Sequence, residues 1–123
     1  MRPLVACAAL VVLAGCGFPS IGGADQDEID DAAAQTCAEV RSGIAAFNER
    51  KYTATIDHFV KAKPFAKRYA ELSDEKKADD LLEAVEYYAN LPADEYREAF
   101  ASSRQFQKYK EITLGQCETG TSA

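Results

Sequence analysis

The sequence predicts an all-α fold, a small antiparallel bundle of about four helices closed by one disulfide. Three observations carry this reading. Apolar residues recur at intervals of three and four from Ile29 to Ile112, the spacing that lines one face of a helix. The period-two alternation of strands is nearly absent. Breaking and capping residues, among them Ser73-Asp74-Glu75 and Asn90-Leu91-Pro92, divide the chain into helix-sized segments with short connections, which favours antiparallel neighbours.

The first helix is marked by Ile29, Ala33, Cys37, Val40, Ile44 and Phe47, which share one stripe. Asp25, Asp27, Glu28, Asp30 and Asp31 crowd its start, where free amides and the helix dipole favour carboxylates. That acidic run does not make a calcium loop, which needs glycine at its sixth position and here has Asp30. A second helix begins near Tyr52 and carries Ile56, Phe59 and Val60. Proline disfavours a helix interior by about 3 kcal/mol, so Pro64 predicts a break or kink, with Phe65, Tyr69 and Leu72 on a short continuation. Gly43, Tyr52, Phe59 and Ala62 make this region similar to a single tetratricopeptide unit. Thr55 stands where that pattern prefers alanine, and no second copy follows at the repeat period, so the segment reads as an ordinary helical hairpin.

Ser73 is placed to cap a third helix with acids in its first turn and a stripe of Ala78, Leu81, Leu82, Val85, Tyr88 and Ala89. After Asn90-Leu91-Pro92, Asp94-Glu95 opens a last helix bearing Tyr96, Phe100, Ser103, Phe106 and Ile112. Residues 118–123 are small and polar and are expected to fray.

Residues 1–15 have the form of a signal peptide: Arg2, an apolar run from Leu4 to Ala14, then small residues. The run is too short to cross a bilayer, which takes roughly 20 residues. Leu13-Ala14-Gly15-Cys16 resembles the lipobox of bacterial lipoproteins, an aliphatic residue and two small residues before an obligatory cysteine. The resemblance implies cleavage between Gly15 and Cys16, diacylglycerol on the Cys16 thiol and, in some organisms, acylation of the new amino group. It implies a lipid-anchored place on the extracytoplasmic face of the cell membrane, and no activity. An ordinary secretory cut after Ala24 is the alternative, but it lies ten residues beyond the apolar run that the lipobox adjoins. Residues 16–24 then form a flexible tether. Its eight residues from Gly17 to Ala24 reach at most about 28 Å at roughly 3.5 Å each, so the domain, residues 25–117, works close to the membrane.

Removing residues 1–15 leaves 108 of the 123, one domain with one core. Thirteen Lys and Arg then face 20 Asp and Glu, which argues against nucleic acid and against broad attraction to anionic lipid. With Cys7 in the signal peptide and Cys16 lipidated, Cys37 and Cys117 remain. Two thiols in an oxidising compartment predict a disulfide. A metal or redox pair is the alternative, against which stand the absence of CxxC and the presence of one histidine.

Charge is unevenly placed. Seven basic and four acidic residues lie from Cys37 to Leu72, net +3, against three basic and nine acidic from Ser73 to Ala99, net −6. This predicts surface pairing of Lys61, Lys63, Lys67 and Arg68 with Asp79, Asp80, Glu83 and Glu86 on the next helix, at about 0 to 1 kcal/mol each. The alternative is a basic patch of Lys63, Lys67 and Arg68, flanked by Phe59, Phe65 and Tyr69, that meets an anionic partner. Tyr87 and Tyr88 project about 100° apart on a helix, so one packs inside and the other at a boundary, where it is a candidate partner contact.

No catalytic residues emerge. His58 is alone, which excludes Ser-His-Asp and Cys-His arrangements in their usual form, and HExxH, GxSxG and a glycine-rich phosphate loop are absent. His58 reads as a partly exposed helix residue. The Asp79-Asp80 pair sits in an acidic, solvated segment with nothing to shift a pKa. The expectation is a non-enzymatic interaction or accessory module of the cell envelope. Membrane lipid is its partner through the anchor, an envelope protein or glycan is a candidate partner, and there is no metal and no cofactor beyond the lipid on Cys16. Binding of a small ligand or glycan in a helical cleft is the alternative, which a well-formed apolar pocket would favour. Cys16→Ala, or globomycin treatment, is expected to move the protein out of the membrane fraction; unchanged abundance there would refute the lipobox reading.

Overall fold

The computed structural model describes residues 25–118, which form five α-helices and no strand. The expected signal peptide, Cys16 and the expected tether lie outside the described residues, as do residues 119–123. Helix α1 spans Gln26–Asn48, α2 Tyr52–Leu72 and α3 Lys76–Asn90. A 3₁₀ turn, Ala93–Glu95, leads to α4, Tyr96–Ser102, and α5, Arg104–Thr113, which ends in a π-helical turn, Leu114–Glu118. Helices α1, α2 and α3 follow one another antiparallel, and α5 returns along α3, so the all-α bundle holds.

The buried line of α1 runs through Ala32, Thr36, Val40 and Gly43, with Cys37 beside it, while Ile29, Ala33, Ile44 and Phe47 flank the core half-buried. The predicted stripe is thus rotated toward smaller residues. The reason is a close approach by α2: a Cβ on Gly43 would stand 2.8 Å from Cε2 of the buried Phe59 ring. Thr36 tolerates full burial because its hydroxyl donates to the Ala32 carbonyl at 2.8 Å. Similar economy of volume marks the seam of α2 with α3, where Ala62, Ala66, Ala78 and Ala84 are wholly buried.

α1 stops without a glycine. The Arg50 and Lys51 amides turn back onto the carbonyls of Phe47 and Ala46, at 2.8 and 2.9 Å, the paired bonds of a Schellman motif. Arg50 takes the left-handed conformation that this motif requires, φ 65°.

Three expectations need correction. Pro64 does not break α2, which is unbroken from Tyr52 to Leu72. The residue four positions earlier, whose carbonyl the proline cannot serve, is Val60. Both are exposed, so water can reach the orphaned oxygen. Ser73 does not cap the third helix; it ends α2, and its hydroxyl accepts the Glu75 amide at 3.1 Å in the connecting turn. The last helix is two helices, divided at Ser103, whose extended backbone (φ −94°, ψ 123°) ends α4 and whose Oγ caps α5 by accepting the Phe106 amide at 3.1 Å.

The Cys37–Cys117 disulfide fastens the π turn to the middle of α1. Arg41 Nη1 reinforces it by donating to the Cys117 carbonyl at 2.9 Å, and Gln116 Nε2 reaches the Lys77 carbonyl of α3 at 2.9 Å.

Two stability measurements follow from this packing. Reduction of the disulfide removes a closure over 80 positions and is expected to cost about 2–5 kcal/mol. For a domain of this size that is a fall in Tm on the order of 10–30 °C by calorimetry; an unchanged Tm would show that the helices alone hold the fold. Gly43→Ala gains about 1 kcal/mol of helix propensity but forces Phe59 aside in a filled core, at about 1–3 kcal/mol. Denaturant unfolding should therefore show it no more stable than the parent and by up to about 2 kcal/mol less.

Candidate functional site

At the end of the bundle where α1 finishes, the packing changes from small residues to rings. Phe47 of α1 lies between Phe100 of α4 and Phe106 of α5, with centroid distances of 5.3 and 5.8 Å, and Phe106 meets Tyr88 of α3 edge-on at 5.0 Å. Edge-to-face pairs of this kind contribute about 0.5–1.5 kcal/mol beyond the area they bury. Tyr52 stacks on Tyr96 at 5.6 Å and closes the cluster on the side of α2.

Backbone carbonyls fix the two buried tyrosines. Tyr88 OH donates to the Phe106 carbonyl at 2.7 Å, and Tyr96 OH donates to the Tyr88 carbonyl, one of those left free at the end of α3. Burial among the rings pushes the phenol pKa of both well above the ordinary tyrosine range. They are neutral donors in structural bonds and not carriers of protons.

These rings do not fill the space between the helices. A partly enclosed cleft of about 290 Å³ remains, walled by Ile44, Phe47 and Asn48 of α1 and by Thr55 and Phe59 of α2. Tyr88 and Tyr96 stand at its back, and Phe100, Phe106, Lys110, Thr113 and Leu114 complete it. Thr55 and Thr113 are buried with their hydroxyls engaged by the carbonyls of Lys51 and Lys110, at 2.9 and 3.0 Å. Asn48 and Lys110 are therefore the wall's polar groups without a hydrogen-bond or ion-pair partner among the described residues. The lining holds no carboxylate, imidazole or thiol; its one ionisable group outside the buried tyrosines is the Lys110 amine.

Phe100 is the mouth of the cleft. It is 43% exposed, the ammonium of Lys110 stands 5.5 Å from its ring centre, and its carbonyl accepts Gln107 Nε2 at 2.7 Å across the Ser103 break.

The candidate contact residues named from sequence are scattered. Tyr88 is 4% exposed and cannot touch a partner. Tyr87, half-buried, lies 5.0 Å from the Tyr109 ring and lines a shallow groove with Glu83, Glu86, Asn90, Leu91 and Pro92. Lys67 and Arg68 are exposed and Lys63 half-buried, on the outer side of α2. The expected pairing with α3 is not made: Arg68 lies 3.9 Å from Glu28 of α1, and Asp80 takes Lys76 of its own helix at 2.7 Å. The cause is helical phase, since the exposed positions 57, 60, 61, 64, 67 and 68 run opposite the buried 59, 62, 66 and 69 that form the seams. The same phase withdraws Phe59 and Tyr69 into the core, which leaves the half-buried Phe65 alone of the basic patch's expected aromatic flank. His58 stands apart from the cleft, its Nδ1 3.0 Å from Glu39 Oε1 as a tie between α1 and α2. Among the described residues no group of three His, Cys, Asp or Glu converges on a metal position, and no helix is long and apolar enough to cross a membrane.

Sequence reasoning named Phe47, Phe59, Tyr96, Phe100 and Phe106 as core or helix-face residues and missed that they leave a space. Lys110 and Asn48 were not singled out at all; a lysine among phenylalanines near the chain's end was the available signal. No protein-family model, curated protein or solved structure matches this chain.

Proposed function

We propose that this protein is an extracytoplasmic, lipid-anchored binding module of the cell envelope whose aromatic cleft receives a small, largely apolar ligand. The observation that carries the reading is the cleft itself. It is about 290 Å³, near the lower end of ligand sites, which run roughly 300–1,000 Å³, with aromatic walls and few polar groups. Anchorage rests on the lipobox-like Leu13-Ala14-Gly15-Cys16. A non-enzymatic role is supported by the chemistry of the walls, mostly rings and methyls with one amide and one ammonium and no carboxylate, imidazole or thiol.

A second reading, contact with an envelope protein or glycan, draws on the groove beside Tyr87. Two tyrosine rings there lie among Glu83, Glu86 and Asn90, a surface of the kind that partners use.

The test is thermal unfolding of the oxidised domain with a short alkanol such as octanol. A ligand at a hundred times its Kd adds about 2.7 kcal/mol, so Tm should rise. Leu114→Trp, which fills the cleft from a half-buried position, is expected to abolish that rise while the protein stays folded. No rise in the parent, or an equal rise in the filled variant, would refute the cleft as a ligand site.

A further inference from the structure

We infer that the cleft selects a small amphiphile with an anionic head, a medium-chain carboxylate being the simplest, with its apolar body among the rings and its head at Lys110. This rests on the ligand-binding reading above and adds the chemical class.

The charge pattern argues it first. The chain carries a net charge of −6, yet the one charged residue in the cleft wall is a lysine. Lys110 has no carboxylate within 4 Å, which it shares with most of the described lysines and arginines; what sets it apart is that it lines the cleft. Its ammonium is held instead against the Phe100 ring, 5.5 Å from the centre, at the mouth of the cleft. A ring face is a weak partner for a cation, and an anion arriving there would gain a charge-assisted hydrogen bond with no existing ion pair to break.

The remaining polar groups point the same way. The Tyr88, Tyr96, Thr55 and Thr113 hydroxyls all donate to carbonyls, so the interior presents no spare donor to a polar ligand body. Donors without partners stand only at Lys110 and at the exposed Asn48 amide. The site is therefore apolar in depth and cationic at its mouth. A neutral ligand would leave the lysine unused, and a cationic one would be repelled by it. The volume of about 290 Å³ suits one short chain and not a diacyl lipid.

The experiment is calorimetric titration of the oxidised domain at neutral pH with octanoate, octanol and octyltrimethylammonium, for the parent, Lys110→Met and Lys110→Arg. Octanoate is expected to bind most tightly and the cation most weakly. Lys110→Met should weaken octanoate roughly ten- to a hundredfold while leaving octanol unchanged, and Lys110→Arg should retain the preference. Added salt should narrow the gap between octanoate and octanol. Unchanged octanol affinity also shows that Lys110→Met is folded. Equal binding of octanoate and octanol by the parent, or a carboxylate preference that survives Lys110→Met, would overturn the inference and leave the cleft reading standing. Failure of all three probes to bind would overturn both.

Discussion

The C-terminal turn, held against α1, is the constraint on which the rest of the bundle depends. Helix α5 has ten residues and α4 seven, both shorter than the roughly 12–15 at which an isolated helix becomes even marginal. Neither persists without being tied to something longer. The disulfide between Cys37 and Cys117 makes that tie, and the Arg41 and Gln116 bonds on either side of it fix the direction from which α5 approaches α3. Phe106 and Tyr109 then face inward, and the aromatic end acquires its fourth wall.

The two ends of the core solve different problems. Toward the start of α1, alanine and threonine let long helices approach closely, and the Thr36 hydroxyl is absorbed by the carbonyl one turn back. Close packing of that kind leaves little free volume. Toward the end of α1 the elements are short and their directions vary, because Ser103 divides α4 from α5 and the 3₁₀ turn redirects the chain after α3. Rings meeting edge-on at 5 to 6 Å cannot tile such a space as methyl groups would. The cleft is the geometric remainder of joining a regular helical hairpin to a pair of short helices.

The all-α class, the element order and the disulfide were legible because each rests on a local signal: apolar spacing, a breaker, or two cysteines left over. Where the reading failed, a local rule met a tertiary circumstance. Pro64 is tolerated because its orphaned carbonyl falls on the solvent side, a matter of phase that proline alone does not reveal. Ser103 looked like one more position on a helix face, since a serine gives the same signal inside a helix as at a cap until the backbone is seen. The charge asymmetry between residues 37–72 and 73–99 is real, but it is expressed outward and not across the α2–α3 seam. The cleft was illegible for a further reason. Its wall draws on all five helices and the final turn, and no window of sequence contains more than a few of its residues.

Position relates the cleft to the proposed anchor. Asn48 and Phe47 close the C-terminal end of α1, while the chain leading back to Cys16 leaves from its N-terminal end; 23 residues at about 1.5 Å each put the two roughly 35 Å apart. A tether of about 28 Å at full reach lets the bundle stand away from the bilayer or lie along it. In either posture the cleft stays within a few tens of ångströms of the lipid surface. There the proposed anchor would keep the site in the layer that an amphiphile leaving or entering the membrane must cross, so encounter would not depend on the ligand's low concentration in bulk water. A site of modest volume gains from such help, and the proposed lipid on Cys16, on a short leash, would supply it without any further protein contact.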